Sequence, residues 1–108
     1  LLAAMAGESD FLTSSTLELF TRRQGLVPGS DRALGWGTPI PGASCGCHFS
    51  PRAIGHTGFT GTSIWIDPER ERFVLLLTNR VHPNRQDTGF LSFRPQLHDL
   101  VVEALNHP

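Results

Sequence analysis

The sequence predicts an α+β fold, in which a small antiparallel β-sheet carries a C-terminal helix across one face. Two apolar segments, near 60–67 and 73–77, are separated by a short charged turn, as in a β-hairpin. A one-sided apolar stripe follows at 97–105 with the spacing of an α-helix. Short helical segments lie within the first 24 residues. Together these observations place strands before a final helix and helices before the strands.

The hairpin, expected over about 60–79, is the clearest local pattern. Residues 64–66 are strand formers, and the Asp67-Pro68 step after them is a turn signal. Residues 73–77 form a continuous apolar run, which is typical of a central strand covered on both faces. We therefore expect the second strand of the hairpin to lie inside the sheet.

The C-terminal helix is expected over 95–106. Pro95 suits the first position of a helix, where no backbone N–H is needed. The apolar residues that follow share one side of the helix, which predicts that this side lies on the sheet. They are Leu97, Leu100, Val101, Ala104 and Leu105.

The N-terminal helices are short. Residues 1–6 resemble the end of one helix. A second helix is expected to be capped by Thr13 or Ser15, with Glu18 completing a capping box in the latter case, and to end near residues 23–24.

The chain is expected to form one domain over 1–108. It divides into a helical segment (1–24), a loop rich in Gly, Pro and Ser (25–55) with one short strand near 33–38, and the hairpin and helix (56–108). Because the sequence opens within apolar helical residues, we also expect it to be part of a longer protein.

Composition limits the function. The formal net charge of −1 argues against a nucleic-acid partner. No apolar run approaches the roughly 18 residues of a membrane span. All nine basic residues are arginine and there is no tyrosine, so chemistry that depends on a lysine within these residues is excluded.

Two site types receive weak support. Cys45, Cys47, His48 and His56 could in principle bind a metal, but a Cys-x-Cys pair is tighter than the usual zinc spacing. We predict two free thiols, no metal site and no cofactor.

Glycines at every third position from Gly55 resemble a phosphate loop, but no helix follows them. Eight serines, five histidines and five aspartates offer too many triads to rank.

The segment His56-Thr57-Gly58 is the remaining candidate site. An imidazole, a hydroxyl and a glycine in succession place polar groups beside room for a substrate. The backbone N–H of the next residue, Phe59, could then act as an oxyanion donor.

The segment GHTGFTGTSIWIDPERERFVLLLTNRVHP resembles the C-terminal signature of serine hydrolases related to class C β-lactamases. That group includes penicillin-binding proteins, D-alanyl-D-alanine peptidases and esterases. LGWGTP (34–39), FSPRAIGHTG (49–58) and LTSSTLELFTRRQ (12–24) resemble the segments that precede the signature.

The resemblance implies part of a β-lactamase-like fold and a small ester, β-lactam or D-alanyl peptide as substrate. By this resemblance, His56 and Thr57 form the polar wall of the active site, Gly58 admits the substrate, and the Phe59 N–H contributes to the oxyanion hole. Proteins of this group are often periplasmic or secreted, but the sequence itself indicates no compartment.

The resemblance also implies a departure from the family. The nucleophilic Ser-x-x-Lys and the assisting Tyr-x-Asn cannot occur in a chain without lysine and tyrosine. The chain is therefore expected to carry one wall of a hydrolase site without its nucleophile, next to a missing N-terminal part. Two alternatives remain open: a stand-alone fragment with its own hydrolytic activity, with or without a metal, and an inert fragment that self-associates through an exposed sheet.

Overall fold

A computed structural model of the protein describes residues 1–86 and 88–107. The elements, in chain order, are α1 (Leu2–Met5), α2 (Ser14–Thr21), β1 (Ile54–Thr57), β2 (Ser63–Asp67), β3 (Arg72–Leu76) and α3 (Gly89–Asn106). The predicted α+β class is confirmed: one antiparallel sheet lies beside a C-terminal helix, after short N-terminal helices.

The sheet has the strand order β1-β2-β3, and both pairs are antiparallel. Trp65, in the middle of β2, lies opposite Gly55 on one side and Val74 on the other. The short strand expected near 33–38 is reduced to isolated bridges, from Gly37 to Gly55 and from Gly37 to Arg32. The third strand of the sheet is β1 instead.

The predicted hairpin is present as β2 and β3, but the position expected for its second strand is wrong. Within the described residues β3 is an edge strand, not a central one. Phe73, Leu75 and Leu77 are 58%, 54% and 73% exposed on the face away from α3. The apolar run predicts burial, and Ile66 and Ile54 on the same face are buried, but the described residues do not cover these three side chains of the edge.

The predicted start of the last helix is also wrong. Helix α3 begins at Gly89, and Pro95 lies inside it. The residues before Pro95 pack against each other: the rings of Phe90 and Phe93 are 6.0 Å apart, and the Arg94 guanidinium lies 5.2 Å from the centre of the Phe90 ring. These contacts support helical residues ahead of a proline, which on its own marks a helix start.

The buried side of α3 differs from the predicted apolar stripe. Its buried residues are Arg94, His98 and Val102, four residues apart in turn, whereas Leu100 and Leu105 are exposed. His98 accepts a hydrogen bond from Ser63 of the sheet and donates one to the Ser44 carbonyl of the preceding loop, and both bonds hold this orientation of the helix. Polar contacts therefore outweigh the apolar stripe in deciding how the helix is rotated.

The core lies between the sheet and α3. It consists of Cys45, Phe49, Ala53, Trp65 and Val102. The Phe49 ring lies 6.1 Å from Trp65 and 6.1 Å from His98, so the loop before β1 packs against both the sheet and the helix.

Helix α2 is capped by Thr13, whose hydroxyl accepts a hydrogen bond from the Thr16 amide at 3.2 Å. Of the two predicted caps, Thr13 is therefore correct and Ser15 is wrong. The helix ends at Thr21, two to three residues earlier than expected. Across the described part of the chain, no helix is both long enough and apolar enough to cross a membrane.

The turn between β2 and β3 is built on Asp67. Its carboxylate accepts hydrogen bonds from the Ser50 hydroxyl (2.6 Å), the Ser50 amide (3.0 Å) and the Arg70 guanidinium (2.9 Å). Burial alone would raise the pKa of Asp67, but the hydrogen bonds from Ser50 and then Arg70 outweigh it and lower the pKa below its ordinary value. Asp67 thus ties the hairpin to the loop that leads into β1.

Candidate active site

Strand β1 presents the predicted site residues at the first edge of the sheet. His56 lies opposite Ile64 and Thr57 lies opposite Ser63 in the neighbouring strand. Both residues are exposed. Paired residues point to the same face of the sheet, so Thr57 points to the α3 face together with Ser63. Successive residues of a strand point to opposite faces, so His56 points to the other face.

A close contact between Gly55 and Trp65 shapes the floor of this edge. A Cβ atom at Gly55 would lie 2.2 Å from the Trp65 ring, which no real side chain can occupy. The backbone of Gly55 also exchanges two hydrogen bonds with Gly37, of 2.8 and 2.9 Å. The absence of a side chain at Gly55 thus lets the Trp65 indole lie against β1. Gly37 occupies the backbone hydrogen-bonding positions of Gly55 on the side away from β2.

A cavity of about 350 Å³ lies between β1, α3 and the loop at 31–44. Residues from all three parts line it. From the strands come Gly55, His56, Thr57 and Trp65; from the helix come Leu91, Arg94 and Pro95; and from the loop come Asp31, Arg32, Gly37, Gly42, Ala43 and Ser44. The structure therefore brings the predicted His56 and Thr57 to one cavity, together with charged residues that the sequence did not single out.

Gly58 and Phe59 are not among the residues that line this cavity. Gly58 begins a tight turn, in which its amide donates to the Thr62 carbonyl at 2.8 Å. A Cβ at Gly58 would lie 2.2 Å from the Thr62 hydroxyl, so a side chain at this position would displace that hydroxyl. Within the described residues the Phe59 amide donates no hydrogen bond, which leaves it available to a ligand.

Arg94 is the cavity residue that sequence reasoning missed. Its side chain is 4% exposed, and its buried Nε atom has no hydrogen-bond partner among the described residues. Burial lowers the pKa of Arg94, and the positive charge of Arg80 lowers it further. A guanidinium in this position is expected to gain from an anionic partner. The local sequence gives no signal for this role, because Arg94 lies directly before Pro95, a residue that favours the start of a helix.

A buried serine–histidine pair joins β2 to α3 and does not line the cavity. The Nδ1 atom of His98 is 2.7 Å from the Ser44 carbonyl, which can only accept, so Nδ1 carries the proton. Nε2 then accepts a hydrogen bond from the Ser63 hydroxyl at 3.3 Å. Ser63 is 3% exposed and His98 is fully buried. This pair joins β2 to α3 and is not accessible to a substrate.

The cysteines take separate positions. Cys45 is buried in the core and Cys47 is exposed, and both are free thiols, as predicted. Burial raises the pKa of Cys45 to about 12, which keeps the thiol protonated. His48 is engaged with Glu103 at 3.5 Å. Across residues 1–86 and 88–107, no three His, Cys, Asp or Glu side chains are grouped so as to hold a metal ion.

A larger groove, of about 650 Å³, lies between α2 and residues 51–52. It contains none of the predicted site residues. Arg23, one of its basic side chains, already donates to the Thr38 hydroxyl (2.8 Å) and the Pro39 carbonyl (2.7 Å). We therefore place the candidate site at the smaller cavity, where the buried Nε atom of Arg94 lacks a hydrogen-bond partner within residues 1–86 and 88–107.

Comparison with known proteins gives consistent matches. The Beta-lactamase family model matches residues 4–90. An N-acetylmuramyl-L-alanine amidase of Bacillus subtilis (strain 168) is 41% identical over 70 residues, which cover 62% of this chain and 15% of the amidase. A putative D-alanyl-D-alanine carboxypeptidase of Salmonella gallinarum is 35% identical over 81 residues, which cover 70% of this chain and 18% of that protein. A similarly described protein of Escherichia coli O157:H7 is 30% identical over 79 residues, with the same coverage.

No solved structure matches significantly. The chain spans less than a fifth of the length of these curated relatives. The family match nevertheless covers most of the chain, including the hairpin and the His-Thr-Gly segment. The chain therefore belongs to the Beta-lactamase family.

Proposed function

We propose that this chain forms the His-Thr-Gly side of a serine-hydrolase site of the β-lactamase type, which acts on an ester, a β-lactam or a D-alanyl peptide. His56 and Thr57 are the polar groups of the wall, and the Phe59 N–H is a donor to the oxyanion of the reacting carbonyl. The nucleophile comes from outside residues 1–108, because an activating lysine is absent from them.

The observation that carries this proposal is the buried side chain of Arg94, whose Nε atom has no hydrogen-bond partner among the described residues, in the same cavity as His56 and Thr57. Penicillins and D-alanyl peptides both carry a carboxylate close to the carbonyl that is attacked. Arg94 offers this carboxylate a charge-assisted hydrogen bond in a place shielded from water. The Thr57 hydroxyl, which lines the same cavity, would add a second hydrogen bond.

The Asp31–Arg32 ion pair in the same cavity is a weaker candidate for binding the carboxylate. Arg32 lies 3.7 Å from Asp31, and this pair is largely exposed to solvent. Such a pair is screened and contributes little binding energy. The buried Arg94 is therefore the stronger anchor for the carboxylate, and the reacting carbonyl extends from it toward Thr57 and the free Phe59 amide.

Titration of the isotope-labelled chain with N-acetyl-D-alanyl-D-alanine tests the proposal by NMR. We expect the amide signals of Thr57 and Phe59 and the side-chain Nε–H signal of Arg94 to shift together. The L,L-dipeptide is the matched control, and we expect weaker shifts with it. Shifts confined to the groove beside α2, or equal shifts with both dipeptides, would contradict the assignment.

A further inference from the structure

The turn that carries the Phe59 amide leaves β1 at Gly58 and returns to β2 after Thr62. Within it, the Gly58 amide donates to the Thr62 carbonyl at 2.8 Å, and the Gly61 amide donates to the Gly58 carbonyl at 3.0 Å. Both bonds involve residues on either side of Phe59 and leave its N–H out. They shape the turn, but they do not connect it to β3 or to the residues that follow β3.

Thr60, the residue after Phe59, makes that connection. Its carbonyl accepts two hydrogen bonds, from the Thr78 hydroxyl at 2.8 Å and from the Arg80 amide at 2.9 Å. A carbonyl oxygen has two lone pairs, so both of its acceptor positions are filled. The direction of the Thr60 carbonyl is therefore set by the segment after β3, two peptide groups away from the Phe59 N–H.

Packing holds the turn on both sides of this carbonyl. Gly61 is buried with a φ of +92°, and a Cβ atom on it would overlap the Thr78 hydroxyl. On the other side, the Arg80 guanidinium lies 5.3 Å from the centre of the Phe59 ring, which is the geometry of a cation–π contact. Residues 59–61 are thus each in contact with Thr78 or Arg80.

We propose that Thr78 is a positioning residue for the oxyanion donor, because its hydroxyl, together with the Arg80 amide, sets the direction in which the turn presents the Phe59 N–H. This inference rests on the proposed function, in which that N–H donates to the reacting carbonyl. An oxyanion donor is effective when it is held in place before the reaction, since no free energy is then spent on ordering it. Thr78 acts through the Thr60 carbonyl and does not touch the substrate.

NMR of the unliganded, isotope-labelled chain gives the first test. We expect a scalar coupling across the hydrogen bond between the Arg80 nitrogen and the Thr60 carbonyl carbon. Thr78→Val keeps the size of the side chain but removes the hydroxyl. The order parameter of the Phe59 N–H should then fall from about 0.85, the value of a rigid backbone, toward about 0.6. Thr78→Ser retains the hydroxyl and should keep the higher value.

Thr21→Val is the matched control, because it removes a hydroxyl that donates to the Leu17 carbonyl in α2 at 2.7 Å. It should leave the Phe59 order parameter unchanged. Titration with N-acetyl-D-alanyl-D-alanine gives the second test. In Thr78→Val the shift of the Phe59 amide at saturation should be largely lost, whereas the shift of the Arg94 Nε–H should be kept. A general loss of structure would reduce both shifts together.

The outcomes separate this inference from the proposed function. An unchanged Phe59 order parameter in Thr78→Val, or no coupling between Arg80 and Thr60, overturns the inference whether or not the dipeptide binds. A dipeptide that binds and shifts the Phe59 amide equally in the unaltered chain and in Thr78→Val also overturns it, and leaves the proposed function in place. Absence of binding to the unaltered chain overturns the proposed function and, with it, the role given to the Phe59 N–H.

Discussion

His98 on α3 accepts a buried hydrogen bond from Ser63 on β2, with 3.3 Å between Nε2 and Oγ. The same imidazole donates to the Ser44 carbonyl at 2.7 Å. Arg94 lies one turn earlier on the same side of the helix, and Thr57 lies opposite Ser63 in the sheet. The neutral His98 side chain therefore ties α3, which carries Arg94, to the sheet, which carries Thr57.

The His98 pair predicts a loss of stability in mild acid. Burial lowers the pKa of His98; the Ser44 carbonyl opposes this, and the charge of Arg94 adds to it. Because the unfolded chain takes up the proton first, the free energy of unfolding falls as the pH drops from the ordinary value of 6.5 toward the lower pKa of the folded state.

Urea unfolding between about pH 7.5 and about pH 5.5 measures this effect. His98→Gln should remove most of the decline, and His107→Gln, at an exposed position, should not. An equal decline in all three proteins would show that His98 does not remain neutral in the folded state.

Asp67 predicts a second loss of stability, at lower pH. Its folded pKa lies below the ordinary value of 3.8, so its contribution is complete above that value and is lost as the pH falls through the folded pKa. At neutral pH, Asp67→Asn should cost about 2–3 kcal/mol, because an amide N–H₂ would face the Ser50 donors.

Thermal or urea unfolding of Asp67→Asn checks the size of this effect. The matched control is Asp10→Asn at an exposed position, for which we expect a change within about 0.5 kcal/mol. Equal stability of the two variants would contradict the role assigned to the Asp67 hydrogen bonds.

The thiols should differ in reactivity. Burial, and the pKa of about 12 that it gives Cys45, keep that thiol protonated and inaccessible. We expect a thiol-specific reagent to modify Cys47 in the folded chain and to reach Cys45 only after denaturation. Mass spectrometry of the labelled peptides measures this, and rapid labelling of Cys45 under native conditions would contradict its placement in the core.

The contact of Gly55 with Trp65 predicts that even a methyl group is harmful at position 55. Gly55→Ala should destabilise the chain by about 1–3 kcal/mol, since β1 must move away from the indole. His56→Ala, at the exposed next position, is the control and should have little effect on urea unfolding. If both variants unfold alike, the close packing against Trp65 is not required.

Much of the fold follows from local patterns in the sequence. The hairpin could be predicted because strand formers flank a strong turn signal, Asp67-Pro68. The edge position of β3 could not, since an apolar run reports only that burial is favourable and not what provides it. The rotation of α3 was also beyond reach, because it depends on hydrogen bonds of His98 to residues 35 and 54 positions away in the chain.

The candidate site shows the same division. His56 and Thr57 were found because they are adjacent in the chain and match a family pattern. Arg94 joins them only through tertiary structure, and nothing in its local sequence marks it as unpaired. Whether a buried cation lacks a hydrogen-bond partner depends on every element packed around it. It can therefore be recognised only in the folded structure.

The preference for a carboxylate ligand tests the proposed function most directly. The measurement is the ratio of dissociation constants for N-acetyl-D-alanyl-D-alanine and its C-terminal amide, in the unaltered chain, in Arg94→Gln and in Arg32→Gln. We predict a preference of about tenfold or more for the carboxylate, lost in Arg94→Gln and kept in Arg32→Gln. No preference in the unaltered chain, or one that survives Arg94→Gln in a folded protein, would contradict the proposed site.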